Sequence, residues 1–416
     1  MKITLGYGSG FQSVDVPDRN IVSVLGANNV RTKYRDEAAV EHALMNPIGS
    51  PRLKDIVKPG QSIVIITSDI TRPMPTAKVM PLLLDELYES GVSADDIKLV
   101  FALGSHRHHT EEEMRKLAGE RAWREITCVD SDPDDCVNLG MTSRGTPIEI
   151  TREVARADVR ICLGNVEYHY FAGYSGGAKA LMPGCSTPAA ISVNHSMMLD
   201  PRCRTGNALD NPLREDLEEA ASIVGIDFIL NVVLDEDKDI VYACAGDYIK
   251  AHRDGCRFLD SMYSVRIPMK ADIVIAANSG APKDASLYQN QKALDNASRA
   301  VRAGGTVILV GECSEGLGSK VFEDWMNEAA KPEELIERLR NGFVLGGHKA
   351  AAIAMVLEKA RIYLVSEMSD DEVRNCFMEP YGTVQDAFDH AFGRYGEEAT
   401  VIVMPYGGTT LPTIMK

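Results

Sequence analysis

The sequence has no C-x-x-C pair, and its nine cysteines are scattered singly. An odd, unpatterned set argues against a disulfide framework and for reduced thiols in a cytosol, so a cytoplasmic location is expected. Cys162 and Cys244 read as small buried apolar residues. No stretch approaches the roughly 20 apolar residues of a membrane helix. The opening MKITLGYGSGFQSVDVPDRN lacks the apolar run of a signal peptide. Basic charge is also short, with a net charge of −16. Holding phosphate backbones or anionic lipid takes clustered Lys and Arg, so neither nucleic acid nor a membrane is expected as a partner. A small anion in a local basic pocket remains compatible with that balance. There is no internal repeat and no low-complexity segment.

What is present is globular: 45% hydrophobic and 25% charged residues over 416 positions, too long for one ordinary core. Apolar runs alternate with polar loops and helical patterns. SIVIIT (Ser62–Thr67) leads through SDITRPMPT to AKVMPLLLDELYESG. IKLVFAL (Ile97–Leu103) leads through GSHRHHT to EEEMRKLAG. ADVRICLG (157–164) leads into VEYHYFAGYSGGAKALMPG. ADIVIAA (271–277) leads through NSGAPKDASLYQ to a helix expected to run up to Gly304-Gly305, before the strand TVILVG. Thr110 with Glu113 predicts a capping box, and Thr187-Pro188 an N-cap before a helical PAAISVNHSMML. The pattern predicts an α/β protein of two domains, with mainly parallel, doubly wound sheets and a cleft between them. The expected division is 1–268 plus 400–416, carrying cofactor attachment and catalysis, and 269–399, a Rossmann-like domain contributing substrate-binding residues.

The polar clusters follow strands, where open α/β sheets build their sites. In SDITRPMPT, Arg72 has the fork of donors that holds a carboxylate or phosphate, and Asp69 beside it makes a surface ion pair an equal reading. In GSHRHHT, His106 at the strand end is the general-base candidate, because imidazole titrates near neutrality. His108 and His109 read as exposed polar side chains, and the triplet lacks a standard zinc spacing. The stretch from Val166 to Gly184 matches neither G-x-x-x-x-G-K-[ST] nor G-x-G-x-x-G. Gly173, Gly176 and Gly177 are suited to an amide-lined anion turn. Lys179, among apolar neighbours, suits a nucleophile or a point of attachment, although a snorkelling lysine is the commoner case. His195 lies mid-helix, where a satisfied core histidine is the commoner case. Gln289 and Lys292, three apart at a helix start, share a face suited to a carboxylate or to plain solvent.

Together these motifs resemble the nickel-dependent lactate racemase family. DITRP, GSHR, HYFAGYSGGAK, the helical NH, YQNQK and MPYGGTTLP spread the resemblance over most of the chain, and the spacing from His169 to Lys179 and His195 fits it. The resemblance implies a racemase or epimerase of a 2-hydroxy acid at C2; the alternatives are a non-catalytic cofactor or anion binder on the same fold, and a zinc-type hydrolase or lyase using His106, His108, His169 and His195, which the absent zinc spacing disfavours. The resemblance also implies a tethered cofactor, the nickel-pincer nucleotide (pyridinium-3,5-bisthiocarboxylic acid mononucleotide nickel). By position, Lys179 would carry the cofactor through a thioamide and His195 would be the protein's Ni ligand, a role that suits imidazole. His106 and His169 would be the acid/base pair. Asp69, Thr71, Gly176, Gly177 and Tyr288 would contact the cofactor, and Arg72, Gln289 and Lys292 the substrate. The implied reaction is proton-coupled hydride transfer to and from the cofactor through a 2-keto acid. Cofactor-synthesis enzymes are implied partners, and a homo-oligomer is compatible with the family. Two features depart from the lactate pattern: Ala178 stands where a basic residue is expected, and Glu167-Tyr168 precedes the histidine. The first bears on how the cofactor phosphate is held and the second on the pocket, leaving room for a larger or differently charged 2-hydroxy acid.

Overall fold

Short β-branched runs buried on both faces are the building blocks of two mainly parallel sheets. A computed structural model describes residues 1–415 and divides them into two units. One comprises Val30–Asp260; the other comprises Met1–Asn29 with the chain from Ser261 onward.

The sheet of the 30–260 unit runs, in spatial order, Ile240–Gly246, Phe228–Leu234, Val159–Asn165, Ile63–Ser68, Ile97–Ala102 and Thr127–Asp130. All neighbours are parallel except the first pair. Ile63–Ile66 are essentially inaccessible on both faces, which is why the run is continuous rather than alternating. On one face Ile65, Leu99, Phe101, Leu163 and Val232 pack under the helices Asp36–Met45 and Thr76–Tyr88. The capping box at Thr110 opens the helix Glu111–Ala118, and the Thr187 hydroxyl caps Pro188–Ser196. Because three central neighbours are parallel, the loops after Ser68, Ala102 and Asn165 leave the same edge of this sheet.

The second sheet is parallel throughout, in the order Glu379–Tyr381, Arg361–Val365, Val301–Val310, Ala271–Ala277, Val401–Met404 and Ile21–Val24. This pairing corrects two expectations. The first 29 residues and the tail from 400 belong with this unit rather than with the first, because Val401–Met404 is hydrogen-bonded between Ala271–Ala277 and Ile21–Val24. The expected helix into Gly304-Gly305 instead stops at Ala297, and both glycines lie inside the strand Val301–Val310. Gly304 sits at φ +74°, and a Cβ on Gly305 would lie 2.7 Å from the Asp272 carbonyl. The pair serves a register irregularity in the ladder rather than a helix end. Among the described residues no helix is long and apolar enough to cross a membrane, and all nine cysteines are free thiols. Cys162 and Cys244 are buried.

Candidate active site

In the loop after Ser68, Asp69 turns its buried carboxylate onto His106, Oδ2 to Nδ1 at 3.1 Å. The Thr71 amide donates to its other oxygen at 2.7 Å. Burial pushes the Asp69 carboxyl up, but the His106 and Thr71 hydrogen bonds outweigh it and hold it down at about 2. A carboxylate only accepts, so the His106 Nδ1 carries the ring proton and Nε2 presents the lone pair. Arg72 reaches the edge of the same carboxylate, 3.9 Å away, with its side chain half in solvent.

His109 departs from expectation. Its side chain is only 1% exposed. The Ile70 amide donates to its Nε2 at 3.0 Å, and its Nδ1 lies 2.6 Å from Asp130. Both nitrogens are used, so His109 ties the Asp69 loop to the His106 loop and offers no nitrogen to a metal. His108 is exposed, as expected.

The stretch 166–184 folds as a small hairpin followed by a turn. Tyr168–His169 pairs with Gly173–Tyr174, and Gly177–Ala180 forms a turn of 3-10 helix. Phe171 is buried at the centre of this region. Its ring meets the His169 ring edge-on at 4.4 Å and the His195 ring at 5.0 Å. The Lys179 Nζ lies 5.9 Å from its centroid. Three residues singled out by sequence thus gather around one aromatic ring. The Gly104 amide donates to the Gly184 carbonyl at 2.8 Å, stitching the His106 loop to the far end of this stretch. The Ala172 amide donates to the His169 Nδ1 at 3.2 Å, which leaves Nε2 to carry the ring proton in the neutral form. His106 and His169 are therefore poised oppositely at Nε2, one to accept and the other to donate.

The glycines of the turn are held from below. Gly177 has φ +62° and donates its amide to Asn231 at 2.8 Å, and a Cβ there would meet the His252 ring at 2.9 Å. A Cβ on Gly176 would meet the Asn231 side chain at 2.8 Å. The Gly177 amide is therefore spent on the protein rather than offered to an anion. Ala178 is likewise buried. Tyr168 sends its hydroxyl to Asp260 at 2.8 Å, where Tyr174 also donates, so it braces the hairpin.

Three supports escaped the sequence reading, and a fourth, Asn194, was seen there only as part of the helical NH. Arg214 is fully buried and its guanidinium donates to the carbonyls of Ala172, Gly176 and Tyr174. Asn211 holds the Phe171 carbonyl at 2.7 Å. His252 donates Nε2–H to the Ser175 carbonyl at 2.8 Å, and burial with neighbouring Arg214 and Arg253 keeps it neutral well below the usual histidine range. Asn194 accepts from the His195 Nδ1 at 3.1 Å. NPLRED does carry a visible signal, an Asn-Pro helix start, but nothing local says its arginine turns inward. In the other unit, Gln289 and Lys292 lie exposed on the helix Leu287–Ala297. Tyr288 beside them is half-buried, with the Lys349 Nζ 3.8 Å over its ring.

Comparison with known proteins gives a consistent set of relatives. Residues 7–206 match the lactate racemase N-terminal domain and residues 267–411 the lactate racemase C-terminal domain. The lactate racemase of Thermoanaerobacterium thermosaccharolyticum is 34% identical over 417 aligned positions, covering 97% of each chain. That of Lactiplantibacillus plantarum is 34% identical, covering 97% of this chain and 98% of its own. The structure of the lactate racemase apoprotein from T. thermosaccharolyticum matches with a TM-score of 0.90 at 32% identity, over 99% of this chain and 100% of that one. A crystal structure of a Thermotoga maritima protein shares the fold at a TM-score of 0.61 and 18% identity, over 90% and 97% of the two chains.

Proposed function

The chain belongs to the lactate racemase family, and from that premise we propose that it inverts C2 of a 2-hydroxy acid, with lactate the first substrate to assay. The observation that carries the reading is the Phe171 ring, around which Lys179, His169 and His195 gather.

The residues also suit the cofactor that the resemblance implies. Among the described residues no cluster of three or more His, Cys, Asp or Glu is arranged to hold a metal ion. A metal at His195 therefore needs most of its donors from elsewhere, as a pincer ligand would provide. His195 is buried, and with its Nδ1 turned to Asn194 the nitrogen left for a metal would be Nε2. Lys179 would hold the nucleotide covalently and His195 would ligate its nickel. When bound, this group would supply an acceptor and donor for the C2 hydrogen as hydride, with a 2-keto acid between.

The protein's own part is proton transfer and orientation. C2–H cleavage is easier if the neighbouring hydroxyl loses its proton at the same time. His106 takes that proton at Nε2, and the Asp69 carboxylate on Nδ1 stabilises the resulting imidazolium. Inversion needs a second proton carrier, and His169 is assigned that role. Arg72 is assigned to the substrate carboxylate. Gln289 and Lys292 are assigned to the substrate on the motif YQNQK alone, and Tyr288, Thr71 and Asp69 to the cofactor on the same kind of ground.

Protein made alongside the cofactor-synthesis enzymes is expected to gain a mass adduct on Lys179 and to abolish the optical activity of L- or D-lactate, or of a larger 2-hydroxy acid in a substrate panel. The Lys179→Ala protein is expected to show neither adduct nor racemisation. Racemisation at the wild-type rate by that variant would sink the proposal.

A further inference from the structure

Asn194 precedes His195 on the helix Pro188–Ser196 and is fully buried. A primary amide has two faces, and which one meets His195 decides the ring's tautomer. Here the surroundings leave one choice. The Asn194 Nδ2 donates to the Asp216 Oδ2 at 2.8 Å and to the Leu213 carbonyl at 3.2 Å, which uses both of its hydrogens. Oδ1 must then face the imidazole, and an amide oxygen only accepts. The His195 Nδ1, 3.1 Å away, is therefore the N–H of the ring.

Asp216 anchors the arrangement. It is fully buried on the helix Pro212–Val224. Besides Asn194 it accepts from the Thr142 hydroxyl on Oδ1 at 2.5 Å and the Thr146 hydroxyl on Oδ2 at 2.7 Å. Thr142 in turn accepts from the Thr146 amide at 3.0 Å, so its own proton is committed to Asp216. The chain of donors runs in one direction, from the imidazole and the threonines toward the amide and the carboxylate.

We infer that Asp216, acting through Asn194, is a positioning residue that fixes the tautomer of His195 and so offers Nε2, not Nδ1, to the metal. The inference rests on the reading of His195 as the nickel ligand given above. Outer partners of this kind orient a ligating imidazole and raise its donor strength. In the Asp216→Asn protein an amide can donate where the carboxylate only accepted. Asn194 is then released to turn over, and its Nδ2–H would meet the His195 Nδ1 and drive the proton to Nε2.

The test reads the tautomer directly. Long-range proton–nitrogen correlation of the histidine rings, recorded on 15N-labelled protein made without the cofactor pathway, is assigned for His195 by the signals lost in His195→Gln. Wild type is expected to show a protonated Nδ1. Asp216→Asn is expected to shift the proton to Nε2 or to give a mixture, and so is Asn194→Ala, which serves if the first variant fails to fold. Thr146→Val removes a donor to Asp216 but keeps the carboxylate–amide contact, so it should cost stability without moving the tautomer. On cofactor-loaded protein dialysed against a chelator, the apparent nickel affinity of Asp216→Asn is expected to fall about 10- to 100-fold. A folded Asp216→Asn or Asn194→Ala protein with the wild-type ring pattern overturns the relay. A changed ring pattern with unchanged nickel retention supports the relay and overturns instead the assignment of His195 as the ligand.

Discussion

At the scale of single residues, the site is a set of imidazoles whose partners decide what each can do. His106 rests on Asp69, His169 on the Ala172 amide, His195 on Asn194, and His109 is consumed at both nitrogens. Residue type alone could not sort them; position in the sequence marked out His106 and His195, but it put His109 in solvent, where the structure buries it. Asp69→Asn gives the clearest residue-level test. Losing the carboxylate frees the ring orientation and withdraws support from the imidazolium, so the racemisation proposed above should slow by about 10²- to 10⁴-fold. The same variant has a stability signature. The Asp69 pKa is depressed on folding, from the usual carboxylate value of about 4 to about 2. Its contribution is therefore present above pH 4 and is lost as pH falls through 2, and it amounts to about 2 kcal/mol. Urea titrations of wild type and Asp69→Asn between pH 6 and pH 2 should show the stability gap narrowing by that amount at the acid end. A gap independent of pH would mean that Asp69 is not the depressed carboxylate.

At the scale of elements, local rules were readable and long-range closure was not. The capping box at Thr110 and the N-cap at Thr187 depend on neighbours three residues away, and both form as predicted. Gly304-Gly305 reads equally as a helix stop or as a strand irregularity, and only the ladder from Ala271 decides for the strand. Gly176 and Gly177 pose the same problem. Their pattern suits an anion turn, but their shape answers Asn231 and His252, which lie more than 50 residues later. The hairpin bearing His169 and the turn bearing Lys179 are likewise held by Arg214, more than 30 residues away. Arg214→Met should leave three carbonyls of residues 172–176 without their donor and lower unfolding stability by about 3 kcal/mol or more. Gly177→Ala should cost on the order of 1–3 kcal/mol, because it combines a left-handed φ with the His252 contact. Denaturant melts read both costs. Limited proteolysis should place the new cleavage of Arg214→Met within 168–178, and cleavage elsewhere would deny the clamp its role.

At the scale of the whole chain, the division into units shows where sequence order and structural order part. The first 29 residues precede the 30–260 unit, yet they belong to the unit that begins at Ser261. Sequence proximity favoured the first assignment, since alternating strands and helices give no sign of which sheet an edge strand joins. The cause is in the packing. Ile3, Leu5, Val14 and Val16 lie in one core cluster with Ile273, Ile308 and Val403, and Ile21–Val24 caps the open edge beside Val401–Met404. Burying four such side chains contributes roughly 1.5–3 kcal/mol each as an upper estimate, a large share of an ordinary domain's stability. A chain lacking residues 1–24 should therefore weaken the unit from 261 onward while leaving the 30–260 core intact. Hydrogen exchange followed by mass spectrometry should find lost protection in Ala271–Ala277 and Val401–Met404, with Ile63–Ser68 and Val159–Asn165 unchanged. Protection lost first in 63–68 would instead make the N-terminal segment a support of the unit that carries Lys179, His169 and His195.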